Sequence, residues 1–157
     1  MRMKKIAGSF LSTVLLLLFS LAAAADFTGR CVAVSDGDTI TVMHDGAAAK
    51  IRFSGIDCPE RKQPYGEDAK SFTSAALLNK DVSIKEKGKD KYGRLLAEVF
   101  IGDKCLNYEL IAAGLAWHYK RFSEDKYLAD AECRARVLKK GLWAQASPEA
   151  PWEFRKR

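Results

Sequence analysis

Phe27-Thr28-Gly29-Arg30-Cys31-Val32-Ala33-Val34-Ser35-Asp36-Gly37-Asp38-Thr39-Ile40-Thr41-Val42 carries apolar or β-branched residues at alternating positions on either side of Ser35-Asp36-Gly37-Asp38. That pattern predicts two strands joined by a tight turn. Asp45-Gly46 marks the next turn, and Lys50 to Ile56 reads as a third strand. Asp57-Cys58-Pro59-Glu60 ends it, because proline denies the ladder a donor. After a loop to Gly66, Glu67 to Leu78 has Ala69, Phe72 and Ala76 at helical spacing, with Glu67 and Asp68 where the helix dipole is positive.

Further along, Val82 to Lys85 is a short strand, Gly88 to Gly93 a charged turn and Leu95 to Ile101 an alternating strand. Leu106, Leu110 and Ala113 outline a second helix stopped by Gly114; Leu128, Ala131, Ala135 and Leu138 outline a third, stopped by Gly141. Five short strands with three helices suggest an α+β domain whose sheet curls shut, since an open sheet of that size would leave its edges exposed. The segment 145–157 reads as a Pro-containing tail with a basic end.

The chain of 157 residues is long enough for one domain, and 48% hydrophobic with 29% charged residues excludes wholesale disorder and fibrous classes. Residues 1–25 read as a secretory signal: basic Arg2, Lys4 and Lys5, an apolar run to Leu21, and Ala22-Ala23-Ala24-Ala25 for a peptidase. An uncleaved anchor is the alternative. Cleavage gives a mature domain over 26–144 plus the tail, secreted or periplasmic, with no stable membrane association. It also removes three of the 26 basic residues, so the net charge of +6 falls to +3. That surplus permits an anionic partner without demanding one. Cys31, Cys58, Cys105 and Cys133 lack zinc-ligand spacing, and three pairings, one bridge or none all stay open.

A phosphodiester site needs hard oxygen ligands for a cation, guanidinium forks for phosphoryl oxygens and a carboxylate to deprotonate water. Asp38 and Asp57 lie at strand ends, Arg52 on the strand leading to Asp57, Glu60 three residues beyond it, and Arg94 at the start of the last strand. His44 and His118 form no pair, which disfavours a histidine-based nuclease.

Asp36-Gly37-Asp38-Thr39-Ile40-Thr41-Val42, Arg52, and Ile56-Asp57-Cys58-Pro59-Glu60 together resemble the first signature of the thermonuclease family (SNase-like domains). Asp90-Lys91-Tyr92-Gly93-Arg94-Leu95-Leu96-Ala97-Glu98-Val99-Phe100 resembles the second, and the likeness runs from about Phe27 to Trp143. The resemblance implies a five-stranded OB-fold β-barrel with three α-helices. It also implies a monomeric, Ca2+-dependent nuclease that cuts DNA and RNA, single-stranded or denatured chains preferred, leaving 3′-phosphorylated ends. On matching positions, Asp38 and Asp57 would be calcium ligands, with the Cys58 backbone carbonyl. Arg52 and Arg94 would grip the phosphate, Glu60 would be the general base, and Lys91 and Tyr92 would contact a terminal nucleotide phosphate. Cys58 stands where the family's type member has threonine, Phe53 where an aliphatic residue is usual, and the 61–65 loop is shorter. Trp117, His118 and Tyr119 differ from its base-stacking stretch. A catalytically inactive OB-fold nucleic-acid-binding module is the competing reading, and a calcium-stabilised protein with no nucleic-acid role is a third. The joint presence of Arg52, Glu60 and Arg94 favours the enzyme.

Overall fold

A computed structural model describes residues 26–157; the signal reading of 1–25 lies outside the described residues. Strand β1 (Phe27–Asp36) turns at Gly37-Asp38 into β2 (Thr39–His44), which turns at Asp45-Gly46 into β3 (Ala47–Phe53). Register shifts between Cys31 and Ala33 and between Val34 and Asp36 act as bulges that bend β1, so that it pairs with β2 on one side and with β5 (Asp81–Lys89) on the other. β5 then pairs with β6 (Leu95–Ile101). Parallel pairing of β6 with β3, with Ile51 opposite Leu95 and Arg52 opposite Leu96, closes the five strands into a barrel. Its interior is filled by Cys31, Ile40, Val42, Ile51, Phe53, Ile84 and Val99, each buried. The opposite alternation sends Arg52 outward, which is why a charged residue sits in a core strand.

Helix α1 (Gly66–Leu77) lies against β1, while α2 (Leu106–Ala112) and α3 (Lys126–Val137) pack on each other beside β6. The closed α+β barrel and three helices are as expected, with additions. The predicted third strand breaks at Ser54-Gly55, where Gly55 takes φ 74°; its last part is a separate short strand, β4 (Ile56–Asp57), paired with β8 (Trp117–His118). β7 (Lys104–Cys105) adds a small hairpin to β6. The predicted charged turn at 88–93 is shorter than expected: Lys85-Glu86-Lys87-Gly88-Lys89 continues β5, with a bulge between Glu86 and Gly88. Its cationic side chains lie on the solvent face of a strand, so their charge does not mark the strand's end.

A fourth, one-turn helix, α4 (Pro151–Phe154), follows a 3-10 turn at Gly141–Ala144 and folds the tail back onto the domain. All four cysteines are free thiols. Among the described residues, no helix is long and apolar enough to cross a membrane.

Candidate active site

The site lies where the β1–β2 turn, the outer face of β3 and the β4 loop meet. Gly37 makes that meeting possible: a Cβ there would stand 2.7 Å from Ala69 Cβ and 2.8 Å from Cys58 Sγ. The turn is pinned from α1 by the Thr73 hydroxyl, which donates to the Gly37 carbonyl at 2.6 Å. Its other edge is tied to β3, where the Phe53 amide donates to the Asp38 carbonyl at 2.9 Å.

Asp38 and Asp57 are 5% and 1% exposed, and one guanidinium serves both. Arg52 Nη1 lies 3.0 Å from Asp38 Oδ2, and Nη2 lies 2.8 Å from Asp57 Oδ1. Nη1 also donates to the Phe53 carbonyl at 2.9 Å. The Cys58 amide donates to Asp38 Oδ2 at 2.6 Å. Burial pushes the Asp38 carboxyl up to about 7; Arg52 opposes this, and Asp36 and Asp57 add to it. For Arg52, burial works against the charge, but Asp38 and Asp57 outweigh it and hold the guanidinium ionised. Burial also pushes the Cys58 thiol well up, with Asp38 adding to it, so this sulfur stays protonated.

This donor set fits a hard divalent cation. Asp38 and Asp57 supply oxygen, and the protonated Cys58 thiol offers no soft thiolate. Among the described residues, no three His, Cys, Asp or Glu side chains gather as a ready metal cluster, so a cation here would complete its shell with carbonyls and water.

Glu60 is set by a tight loop. Its amide donates to Gln63 Oε1 at 2.7 Å, and its carbonyl accepts from the Gln63 amide at 2.8 Å. A Cβ on Gly66 would stand 2.1 Å from the Glu60 carbonyl oxygen, so the start of α1 must be glycine for the loop to close. The Glu60 carboxylate does not contact Arg52; it meets Arg155, from just past α4.

Arg94 belongs to the same outer face as Arg52. Its neighbour Leu95 pairs with Ile51, and Leu96 pairs with Arg52, so continuing the alternation one residue before β6 puts Arg94 on the face of Leu96 and Arg52. Its side chain is turned to Asp90, with Nε 2.7 Å from Oδ2, rather than to the buried acids. Asp90 Oδ1 also accepts from the amides of Tyr92 and Arg94, which folds the 90–94 turn. Lys91 and Arg94 both lie over the Tyr92 ring, at 5.0 and 5.6 Å, and Tyr92 is 72% exposed. Asp38, Arg52, Asp57 and Cys58 are thus in direct contact. Glu60 joins them through Arg155, while Arg94, Lys91 and Tyr92 form a second cluster in the 90–94 turn.

The tail contributes residues that sequence reasoning missed. Trp152 stacks on Tyr119 with ring centroids 4.9 Å apart and planes 2° from parallel. Trp117 meets Trp152 and Trp143 edge-on at 5.5 and 4.5 Å. Ala150 and Pro151 are buried, and Gln63 Nε2 donates to the Glu149 carbonyl at 3.3 Å. Beside these rings opens a cleft of about 580 Å3 lined by Tyr119, Arg136, Trp152 and Arg155 among others. The overlooked signal was compositional: Trp152 and Phe154 have little reason to occur in a solvated tail. His118, by contrast, is buried with Nε2 3.2 Å from the Ser123 hydroxyl, which fits a packing role.

A family model described as staphylococcal nuclease homologue matches residues 50–145. A protein of Escherichia coli named an uncharacterized endonuclease is 40% identical over 134 residues, covering 85% of this chain and 88% of that one. One of the same name from Haemophilus influenzae is 37% identical over 151 residues, 94% of this chain and 85% of that one. A micrococcal nuclease of Shigella flexneri is 30% identical over 156 residues, 92% and 90% of the two chains. With the closed barrel and this coverage, the chain belongs to the staphylococcal nuclease family.

Proposed function

We propose that this protein is a secreted or periplasmic, Ca2+-dependent nuclease that hydrolyses phosphodiester bonds of DNA and RNA without selecting the sugar. The observation that carries the reading is the Arg52 guanidinium held between buried Asp38 and Asp57 at 3.0 and 2.8 Å, with Glu60 three residues beyond Asp57. A pure binding module has no use for Glu60 beside two buried acids.

In this reading Asp38 and Asp57 hold calcium, with the Cys58 carbonyl as a further ligand; when bound, calcium supplies charge stabilisation at a phosphoryl oxygen. Arg52 spends Nη1 and half of Nη2 on Asp38, Asp57 and the Phe53 carbonyl, which leaves its Nε hydrogen and one Nη2 hydrogen for the phosphate. Arg94 reaches the same phosphate by leaving Asp90, and its charge offsets the negative charge that grows in the transition state. Glu60 takes a proton from the attacking water as the water oxygen bonds phosphorus; the bond to the 5′ oxygen breaks, and that oxygen takes up a proton from solvent. The products are a 3′-phosphate and a 5′-hydroxyl. Lys91 and Tyr92 contact a terminal phosphate, and the monomer acts best on single-stranded or denatured chains, whose bases can stack on exposed rings.

A calcium-titrated digestion of single-stranded DNA and RNA with end-group analysis tests this. Cleavage that rises with calcium, stops in chelator and leaves 3′-phosphates is expected. Binding without cleavage at any calcium concentration overturns it in favour of an inactive OB-fold module.

A further inference from the structure

Arg155 stands outside the stretch matched by the family model, in a segment whose sequence reads as a basic tail. Its guanidinium nevertheless reaches both acids on the open side of the site. Nη2 lies 2.7 Å from Asp57 Oδ2, and Nη1 bonds Glu60 Oε1 and approaches Asp57 Oδ1 at 3.3 Å. Asp57 is thereby gripped from two directions, by Arg52 from within the barrel wall and by Arg155 from the tail. Glu60, whose side chain is 39% exposed, has no other cationic partner among the described residues.

The contact is built rather than casual. Trp152 on Tyr119 anchors the tail three residues before Arg155, Gln63 ties Glu149 to the loop that carries Glu60, and Arg157 pairs with Glu149 at 2.7 Å. A long side chain on a free tail would lose its conformational freedom in making such a bridge; on an anchored turn most of that loss has already been incurred. The geometry assigns Arg155 as a positioning residue of the phosphodiester reaction: it clamps Glu60 to Asp57, fixing the base relative to the cation ligand. The assignment rests on the nuclease reading above. Two carboxylates three residues apart repel when ionised, and without the clamp Glu60 can swing into solvent, away from the water it must deprotonate.

The test compares Arg155→Ala and Arg155→Lys with the wild-type full chain in calcium. Supporting groups of this kind typically change activity by about 10- to 100-fold. In Arg155→Ala, kcat is expected to fall by about that factor with KM nearly unchanged, and millimolar guanidinium is expected to restore part of it where sodium does not. Arg155→Lys, with one point charge in place of a fork, is expected to recover only part of the loss. An unchanged or increased kcat would overturn the clamp and make the tail a cover over the cation site. A raised KM at constant kcat would overturn it in favour of a substrate contact. A second readout needs no turnover: hydrogen exchange at the Glu60 amide should quicken in Arg155→Ala and in Trp152→Ala, while the Val99 amide, bonded to Asn107 in the core, keeps its protection. Unchanged exchange at Glu60 refutes the clamp whether or not the protein cuts. Faster exchange alongside a wild type that never cleaves upholds the clamp and sinks the nuclease reading instead.

Discussion

Arg52 Nη2 meets Asp57 Oδ1 at 2.8 Å across the Ser54-Gly55 break, so the residue that leads into the site and the residue that ends it are joined by the kink between them. The same guanidinium holds Asp38, and both acids are almost fully buried. Removing it leaves two carboxylates facing each other without their inner counter-charge. Arg52→Ala should therefore lose about 3–5 kcal/mol of stability in the calcium-free protein. Arg52→Lys should recover only part, because a point charge cannot fork between both acids. Urea denaturation in chelator measures both, and a loss under 1 kcal/mol in Arg52→Ala would mean the acids are not held by this residue.

Asp90 is the hub of the turn that presents Lys91, Tyr92 and Arg94. Burial works against its charge, but hydrogen bonds from the Arg94 side chain and from the Arg94 and Tyr92 amides win, and the carboxyl titrates below its ordinary value of 3.8. A group depressed on folding adds stability above its unfolded value, and that stability disappears as pH falls through the folded value. Asp90→Ala should cost about 1 kcal/mol at neutral pH, the usual size for a lost capping side chain. The gap from wild type should close as pH drops well below 3.8. Denaturation curves at pH 7 and in strong acid decide it; a gap that is constant across that range would place the effect in packing instead.

Much of this architecture was legible beforehand. The strands of β1, β2 and β6 and the three long helices follow from alternation, turn residues and glycine stops, and the acids of the site fall at strand ends that the sequence marks with Asp-Gly and Cys-Pro. What stayed hidden depends on pairing across the barrel. Nothing local tells that β3 and β6 run parallel side by side, yet that pairing alone puts Arg94 on the wall of Arg52. Charge concealed the end of β5, whose lysines face solvent from a strand. The tail was opaque for the same reason: Arg155 reads as one more surface cation until Trp152 is seen to lie flat on Tyr119.

The four free thiols differ sharply in access. Cys31 and Cys58 are buried, and burial raises both thiols, the first against a backbone hydrogen bond at Ala33. Cys105 is partly covered and also raised by burial, whereas Cys133 is exposed on α3. A disulfide-exchange reagent at neutral pH should thus modify Cys133 rapidly and Cys58 only on unfolding, since the thiolate is the reacting species. Mass spectrometry of peptides after brief labelling reads the sites. Rapid labelling of Cys58 in the folded protein would show that the loop carrying Asp57 opens freely, contrary to a site clamped from both sides.

Glu60 and Arg94 are the pair whose substitution separates catalysis from folding. Both are at the surface of the site, neither supports the core, and each has an ion-pair partner that can turn to water when it is removed. Glu60→Ser and Arg94→Ala should accordingly unfold close to wild type yet cut DNA at least about a hundredfold more slowly, the usual scale for losing one transition-state contact. The two should differ in how they fail. Without Glu60 the attacking water keeps its proton, so raising the pH should recover some rate by supplying hydroxide. Without Arg94 the missing charge is fixed, and pH should recover nothing. Single-turnover cleavage across pH 6–10 distinguishes them, and a folded Glu60→Ser that cleaves at the wild-type rate would remove Glu60 from the chemistry altogether.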